Sequence, residues 1–141
     1  MKESLRAHLS ALGTEIIDLG ARDENPVDYP GVARAVAERI AASGESGEVG
    51  LLVCGSGIGM SIAANRVPGA RAALCFNREF ARLSRAHNNA NILVLPGRFV
   101  SEEEAVACVD AFLSTPFEGG RHDKRVRMID GSCSPARGNA A

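Results

Sequence analysis

The feature that most constrains the fold is a regular alternation between segments with helical spacing and short apolar runs. Residues 49–54 (VGLLVC) and 92–95 (ILVL) are nearly continuous apolar runs, typical of strands buried on both faces of a sheet. Residues 14–19 and 71–75 predict two further strands. The helices that we expect lie near residues 2–12, 30–42, 58–66, 77–87, 101–113 and 119–130. Asn77 can cap the fourth of these helices, and Ser101 with Glu104 forms an S-x-x-E capping box at the start of the fifth. This alternation predicts a parallel sheet in a three-layer α/β/α sandwich with right-handed, Rossmann-like connections.

Length and composition indicate one domain without a polyanionic partner. The 141 residues suffice for a single core, which we place at residues 1–130, followed by a Gly-, Ser-, Ala- and Pro-rich tail at 131–141 that we expect to be disordered. A net charge of −1 and the lack of Trp argue against nucleic-acid binding, and no apolar run is long enough to cross a membrane. The four cysteines form no CxxC pair, which disfavours a disulfide scaffold or closed zinc site and favours a reducing cytoplasm.

The sharpest local motif is Cys54-Gly55-Ser56-Gly57-Ile58-Gly59, which follows a predicted strand and opens a predicted helix. Glycines there let backbone N–H groups point at an oxyanion, and a thiol beside a helix N-terminus is expected to have a lowered pKa. The spacing is GxGxG rather than the dinucleotide GxGxxG, and the Gly-Lys-Ser/Thr of a P-loop is absent. The motif therefore predicts an anion-binding loop led by a thiol. The alternative is a buried strand-end cysteine followed by a tight turn.

Two further clusters suit acid–base chemistry and phosphate binding. His87-Asn88-Asn89-Ala90-Asn91 offers an imidazole beside amides, although a helix C-cap alone explains these residues slightly better. Arg121 and Arg125 are four residues apart, so on a helix they share a face and can bind one phosphate; a solvated basic face is the commoner explanation of such a run. Arg98, just past a predicted strand, is another candidate anion ligand. Together, these groups suit proton transfer next to a carbonyl on a phosphorylated substrate, which requires no metal or redox cofactor.

In combination, the motifs resemble the ribose-5-phosphate isomerase B family of sugar-phosphate isomerases, which also includes galactose-6-phosphate isomerase subunits. The match runs from Met1 to about Asp130. The segments that carry it, in family order, are Asp28-Tyr29-Pro30, the run CGSGIGMSIAAN at 54–65, His87-Asn88-Asn89-Ala90-Asn91, and Gly119-Gly120-Arg121-His122 with Arg125. The resemblance implies a homodimer or a dimer of dimers, with sites shared between subunits and no cofactor.

The resemblance also implies roles for individual residues. Cys54 would be the base that moves a proton between C1 and C2 of the open-chain sugar, and His87 would help to open the furanose ring. The loop after Cys54 would hold the enediolate oxygens, Tyr29 would line the pocket, Asn88 would bind a hydroxyl or the oxyanion, and the arginines would bind the phosphate. The substrate-binding residues would be Tyr29, Gly55, Ser56, Gly57, Gly59, Asn88, Arg98, Arg121 and Arg125.

The sequence departs from the family pattern at its start. Family members begin with a strand that ends in an Asp-His pair of the substrate site, whereas Met1 of this chain falls within the first predicted helix. Since the first strand of a doubly wound sheet is central, we expect that strand to be missing and its neighbours to be left with unpaired backbone groups. A start at an internal Met of a longer protein is the favoured explanation, and a shortened, inactive relative is the other. An upstream strand carrying the Asp-His pair is expected to raise turnover by orders of magnitude.

The function that we expect is interconversion of ribose 5-phosphate and ribulose 5-phosphate by proton transfer through a cis-enediolate, a step of the pentose phosphate pathway. The alternatives are a non-catalytic sugar-phosphate-binding relative and an isomerase of another sugar phosphate, such as galactose 6-phosphate, allose 6-phosphate or erythrulose 4-phosphate. An NAD-dependent enzyme is disfavoured because the chain has no nicotinamide signature.

Overall fold

The computed structural model describes residues 1–20 and 27–131, which contain six helices and three strands. In chain order these are α1 (Lys2–Ala11), α2 (Tyr29–Ser43), β1 (Gly50–Cys54), α3 (Ile58–Ala64), β2 (Ala72–Leu74), α4 (Arg78–Asn88), β3 (Ile92–Pro96), α5 (Glu102–Ser114) and α6 (Arg121–Ile129). The strands form one parallel sheet in the order β1-β3-β2. Gly50 aligns with Ile92 at one edge of the sheet and Cys54 aligns with Pro96 at the other. The first edge is called the amino edge below, and the second the carboxyl edge.

The central strand β3 separates two apolar cores. Leu93 and Leu95 belong to a cluster formed with α1, α4 and α5, whereas Ile92 and Val94 belong to a cluster formed with α2 and α3. This division follows from the two-residue period of a strand, which sends successive side chains to opposite faces. All five residues of β3 are buried. The predicted three-layer, Rossmann-like α/β/α arrangement is therefore confirmed.

Two helix starts follow the caps expected from the sequence. The Asn77 side chain accepts a hydrogen bond from Phe80 N at 3.0 Å, and Ser101 Oγ accepts one from Glu104 N at 3.1 Å. The reciprocal half of the expected S-x-x-E capping box is wrong. The Glu104 carboxylate instead accepts a hydrogen bond from Arg78 N at 2.7 Å, because α5 packs beside the start of α4. The carboxylate thus accepts from one of the orphan N–H donors at the start of a neighbouring helix.

The strand predicted at residues 14–19 does not form. Thr14–Leu19 is irregular in the structure, and a cavity of about 930 Å³, with Leu5, Val36 and Leu51 in its lining, separates it from β1. A strand needs a hydrogen-bonding neighbour, and within the described residues β1 pairs on one side only, with β3. The apolar pattern of this segment was therefore insufficient to make a strand.

Some predictions concern residues beyond those described. Residues 132–141, which are most of the predicted tail, and residues 21–26 lie outside the described residues. Among the described helices, none is both long and apolar enough to span a bilayer.

Candidate active site

The Cys54 motif lies at the carboxyl edge, where β1 ends and α3 begins. Gly97 N donates a 2.7 Å hydrogen bond to the Cys54 carbonyl, and Arg98 N donates a 3.0 Å bond to the Gly55 carbonyl. These two bonds continue the β1–β3 pairing past the strands, so the start of the loop is held against the segment after β3. The loop is therefore a fixed turn rather than a loose connection.

Gly57 is the position in this turn where the backbone conformation itself favours glycine. Its φ is +73°, in the left-handed region that favours glycine. An added Cβ would also lie 2.6 Å from Leu74 Cδ1 and 3.2 Å from Val94 Cγ1. The sequence motif thus reflects both backbone conformation and the close approach of the loop to β2 and β3.

Tyr29 and Arg98 flank the turn. The Tyr29 hydroxyl lies so close to Gly59 that a Cβ added at Gly59 would overlap it. The Arg98 side chain runs alongside Gly55, and its atoms lie 3.2–3.4 Å from the position that a Cβ on Gly55 would take. Tyr29 comes from the first turn of α2 and Arg98 from the segment after β3. The structure therefore brings Tyr29, Arg98 and the Cys54–Gly59 turn together, and we call these residues the carboxyl-edge group.

Cys54 differs from the two other cysteines in the described part of the chain. Cys75 and Cys108 are buried, and burial raises the pKa of Cys75 to about 11 and of Cys108 to about 12. Cys54 is partly exposed. Because the thiolate is the reactive form of cysteine, the buried pair is chemically inert, whereas Cys54 is open to reagents and substrate.

His87 and Asn88 lie at the amino edge. They end α4, and Asn89 caps that helix in the left-handed conformation (φ 46°, ψ 42°), as the C-cap interpretation of this segment expects. Asn91 O accepts a hydrogen bond from Gly50 N, which places the segment at the beginning of β1. A guanidinium also ties this region together, since Arg71 donates to the Asn89 carbonyl at 2.8 Å and to both Asp130 oxygens at 3.1 Å.

Two residues beside His87 have no role in the sequence prediction. The His122 ring stacks on the His87 ring with centroids 4.3 Å apart and planes 13° apart. A Glu118 carboxylate oxygen lies 3.7 Å from His87 Nε2 and 3.8 Å from His122 Nε2. Burial lowers the pKa of His122, and the charges of His87 and Arg121 act in the same direction. The i, i+4 spacing of Glu118 and His122 was a visible signal, but their contact with α4 depends on tertiary packing.

Arg121 and Arg125 lie on α6 beside this cluster, and both are exposed. Their four-residue spacing puts them on one face of the helix, as predicted. Together with His87, Asn88, Glu118 and His122 they form what we call the amino-edge group. Exposed guanidinium groups next to an imidazole suit recognition of a phosphate monoester.

Within one chain, the two groups lie at opposite edges of the sheet. The five-residue strand β1 separates Cys54 from the amino edge by about 13 Å, at ~3.3 Å per residue. Helix α4 carries the chain from the carboxyl edge at Asn77 back to the amino edge at His87. The candidate base and the candidate ring-opening acid therefore cannot meet around a small substrate within one subunit.

The structure combines a Rossmann-like sheet, a thiol at a glycine-rich turn, and arginines and imidazoles at the other edge of the sheet. These features define an α/β protein suited to binding a small anionic ligand. The sequence matches the Ribose/Galactose Isomerase family over residues 1–129. The chain belongs to this family.

Relatives and solved structures agree with the assignment. The chain is 43% identical over 129 residues to ribose-5-phosphate isomerase B of Escherichia coli strain K12, covering 92% of this chain and 85% of that protein. It superposes on a ribose 5-phosphate isomerase from Thermotoga maritima with a TM-score of 0.87 and 52% identity, covering 92% and 88% of the two chains. The Mycoplasma genitalium ribose-5-phosphate isomerase B with bound ribulose-5-phosphate gives a TM-score of 0.87 at 40% identity, covering 93% and 86%.

Proposed function

We propose that this protein is an aldose–ketose isomerase that interconverts ribose 5-phosphate and ribulose 5-phosphate. The single observation that carries the proposal is the partly exposed Cys54 thiol at the head of a fixed glycine turn, in a chain whose similar proteins include ribose-5-phosphate isomerases B. The reaction moves one hydrogen between adjacent carbons, so a base and a stabilised oxyanion suffice.

In this mechanism the Cys54 thiolate removes a proton from C2 of the open-chain aldose. The electron pair left on C2 forms the C1–C2 double bond, and the C1 carbonyl oxygen becomes the enediolate oxyanion. Backbone N–H groups of the Gly55–Gly59 turn stabilise that oxyanion. Cys54 then returns the proton to C1 while the proton of the C2 hydroxyl passes to the C1 oxyanion, so that C2 becomes the carbonyl carbon of the ketose. The sequence is redox-neutral overall.

The amino-edge group supplies the remaining functions. His87 transfers a proton to the ring oxygen as the furanose opens, Asn88 binds a substrate hydroxyl, and Arg121 and Arg125 bind the phosphate. Tyr29 and Arg98 bound the pocket at the Cys54 side. Because the two groups lie at opposite edges of one sheet, the complete site requires the amino-edge group of a second subunit.

Exposed apolar side chains at the carboxyl edge support this pairing. Five large apolar residues on segments that follow β1, β2 and β3 are exposed, with Phe99 at 70%. The residues are Ile58, Ile62, Phe76, Phe80 and Phe99. Such patches on a folded chain mark interaction surfaces. Because contacts in a two-fold dimer are reciprocal, each subunit would bury its own patch against the partner, beside the partner's amino-edge group.

A mixing experiment tests the mechanism and the shared site together. Cys54→Ser and His87→Asn should each lower turnover of ribose 5-phosphate by about 10²–10⁴-fold, as expected when a general acid or base is lost. When the two variants are unfolded together and refolded, about a quarter of wild-type activity should return, because half of the dimers are mixed and each mixed dimer has one intact site.

Other results separate the alternatives. Variants that stay inactive after mixing would show that Cys54 and His87 serve the same chain's site. A wild-type protein that binds ribose 5-phosphate in calorimetry but has no turnover for Cys54→Ser to remove would be a sugar-phosphate-binding relative instead.

A further inference from the structure

The two stacked imidazoles of the amino-edge group share one carboxylate. A single oxygen of Glu118 lies 3.7 Å from His87 Nε2 and 3.8 Å from His122 Nε2. At these distances the contact is an ion pair only when one of the rings is protonated. A carboxylate so close to an imidazole favours the charged form of the ring, so Glu118 stabilises a proton on the pair.

The geometry of the stack limits the pair to one proton. The ring centroids are 4.3 Å apart and the planes are inclined by 13°, so two protonated rings would bring like charges face to face. Arg121 and Arg125 on α6 add further positive charge beside the pair. Because a single carboxylate faces both rings, the pair takes up its second proton at a lower pH than its first.

The difference in burial between the rings assigns that proton to His87. The side chain of His122 is 9% exposed, whereas that of His87 is 36% exposed. Burial lowers the pKa of His122, because water solvates a charged ring poorly there, and the charge of His87 acts in the same direction. The pair therefore combines a neutral, buried His122 with a more accessible His87 that carries the proton.

Glu118 is held near the rings through its backbone. Glu118 N donates a 3.0 Å hydrogen bond to the Ala86 carbonyl, one residue before His87. The Gly119–Gly120 turn follows, with φ values of +66° and +57°, and it brings His122 back over the His87 ring. The main chain thus fixes where the carboxylate starts, and a Gln side chain at this position would keep the same backbone contact.

The other carboxylate that interacts with His87 is already paired. The charge of His87 acts on Glu79, one of the first residues of α4, but the Glu79 carboxylate lies 2.7 Å from a guanidinium nitrogen of Arg82. Arg82 also interacts with Glu118. Because Glu79 and Arg82 largely cancel each other, Glu118 is the carboxylate that balances a charge on His87.

We propose that Glu118 is a positioning residue for ring opening: its carboxylate keeps one proton on the stacked pair, and the stack on His122 directs that proton to His87. His87 gives this proton to the ring oxygen as the bond between C1 and that oxygen breaks. The anomeric hydroxyl loses its own proton to water and becomes the aldehyde oxygen, and His87 regains a proton from solvent. The kinetic role rests on the proposed function, whereas the protonation of the pair does not.

Proton NMR titration of the full-length protein tests the protonation without any activity measurement. The chain contains three histidines, so the ring resonances of His8, His87 and His122 can each be assigned with a His→Gln variant. In the wild type, the His87 resonance should titrate at a higher pH than that of His122. In Glu118→Gln its midpoint should fall by roughly 0.5–1 pH unit, about the effect of one charge at ~4 Å in water. His8, which pairs with Asp110, should titrate as before.

Asp123→Asn is the matched control. Asp123 lies on α6, is as exposed as Glu118 (53% against 54%) and removes the same charge, but it pairs with Arg127 at 3.1 Å. This variant should leave the His87 midpoint where it is in the wild type. The proposal is overturned if Glu118→Gln leaves that midpoint unchanged, if Asp123→Asn moves it equally, or if His122 titrates at the higher pH in the wild type.

The pH dependence of kcat/KM for ribose 5-phosphate tests the kinetic role. A general acid loses its proton as the pH rises, so Glu118→Gln should move the alkaline limb of the profile to lower pH by the same 0.5–1 unit. On that limb kcat/KM should fall roughly 3- to 10-fold, with the loss in kcat and not in KM, and at lower pH the variant should match the wild type. A purely structural role of Glu118 would instead lower the rate by one factor at every pH.

The two measurements separate the possible failures. A His87 midpoint that moves in Glu118→Gln while the alkaline limb stays in place would refute the positioning role. A wild-type protein that never isomerises ribose 5-phosphate would refute the proposed function, and the NMR titration would still decide whether Glu118 holds the proton on His87.

Discussion

Replacing Gly57 with alanine should destabilise the protein more than any other single methyl added to the Cys54–Gly59 turn. At φ +73° an L-residue costs about 1–2 kcal/mol, and the contacts at 2.6 Å and 3.2 Å add about 1–3 kcal/mol of overpacking. The less flexible unfolded chain offsets about 0.4–1 kcal/mol. The net loss is therefore about 1–5 kcal/mol, with ~3 kcal/mol as the central value.

Urea unfolding followed by circular dichroism measures this loss, which should appear as a lower midpoint at an unchanged slope. A loss of ~3 kcal/mol corresponds to a fall in Tm of roughly 6–12 °C for a chain of this size. Gly31→Ala is the matched control, because an added Cβ at Gly31, within α2, meets nothing within 4 Å and no positive φ is involved. That control should be neutral or slightly stabilising. If Gly57→Ala unfolds at the wild-type midpoint, then neither the backbone conformation nor the close packing constrains the turn as argued.

Three further predictions concern the site and its supports. Gly59→Ala should displace the exposed Tyr29 side chain while leaving the free energy of unfolding within ~1 kcal/mol of wild type. In steady-state assays the KM for ribose 5-phosphate should rise about 10-fold, equal to roughly 1.4 kcal/mol. An unchanged KM would show that Tyr29 does not line the pocket. Asn77→Ala should lower the free energy of unfolding by about 0.5–2 kcal/mol, because Phe80 N loses its acceptor; no change in urea unfolding would contradict the cap. Burial lowers the pKa of His122, so below about pH 6.5 its ring is protonated more readily in the unfolded chain than in the folded protein. The free energy of unfolding should therefore decrease as the pH is lowered through this range. His122→Gln should flatten that fall in a series of urea titrations, and an equal slope in both proteins would exclude His122 as its source.

The sequence predicts the parts of this fold whose determinants are local. The apolar runs at 49–54 and 92–95 became β1 and β3, and Asn77 and Ser101 cap helices as expected. These features depend on a few neighbouring residues, so a local pattern is sufficient to find them.

Features that depend on distant partners were not predictable in the same way. The short apolar segment at 14–19 carries no information about whether a neighbouring strand is present, and without one among the described residues the segment is irregular. The chain order of Cys54 and His87 likewise does not reveal that α4 carries the latter to the opposite edge of the sheet. The stack of His122 on His87 arises only when α6 packs on α4.

Arg71 makes the amino-edge group a single module. Its guanidinium joins the Asn89 carbonyl beside His87 to Asp130 at the end of α6. The imidazole of His87 therefore keeps its arrangement relative to Arg121 and Arg125, the two arginines that we propose bind the phosphate. In the proposed shared site, each subunit would deliver these preassembled groups to its partner and would need only the correct docking surface. Hybrid dimers formed from two different family members with matching surfaces would thus contain functional mixed sites, which gives a route to combining the phosphate grip of one isomerase with the thiol turn of another.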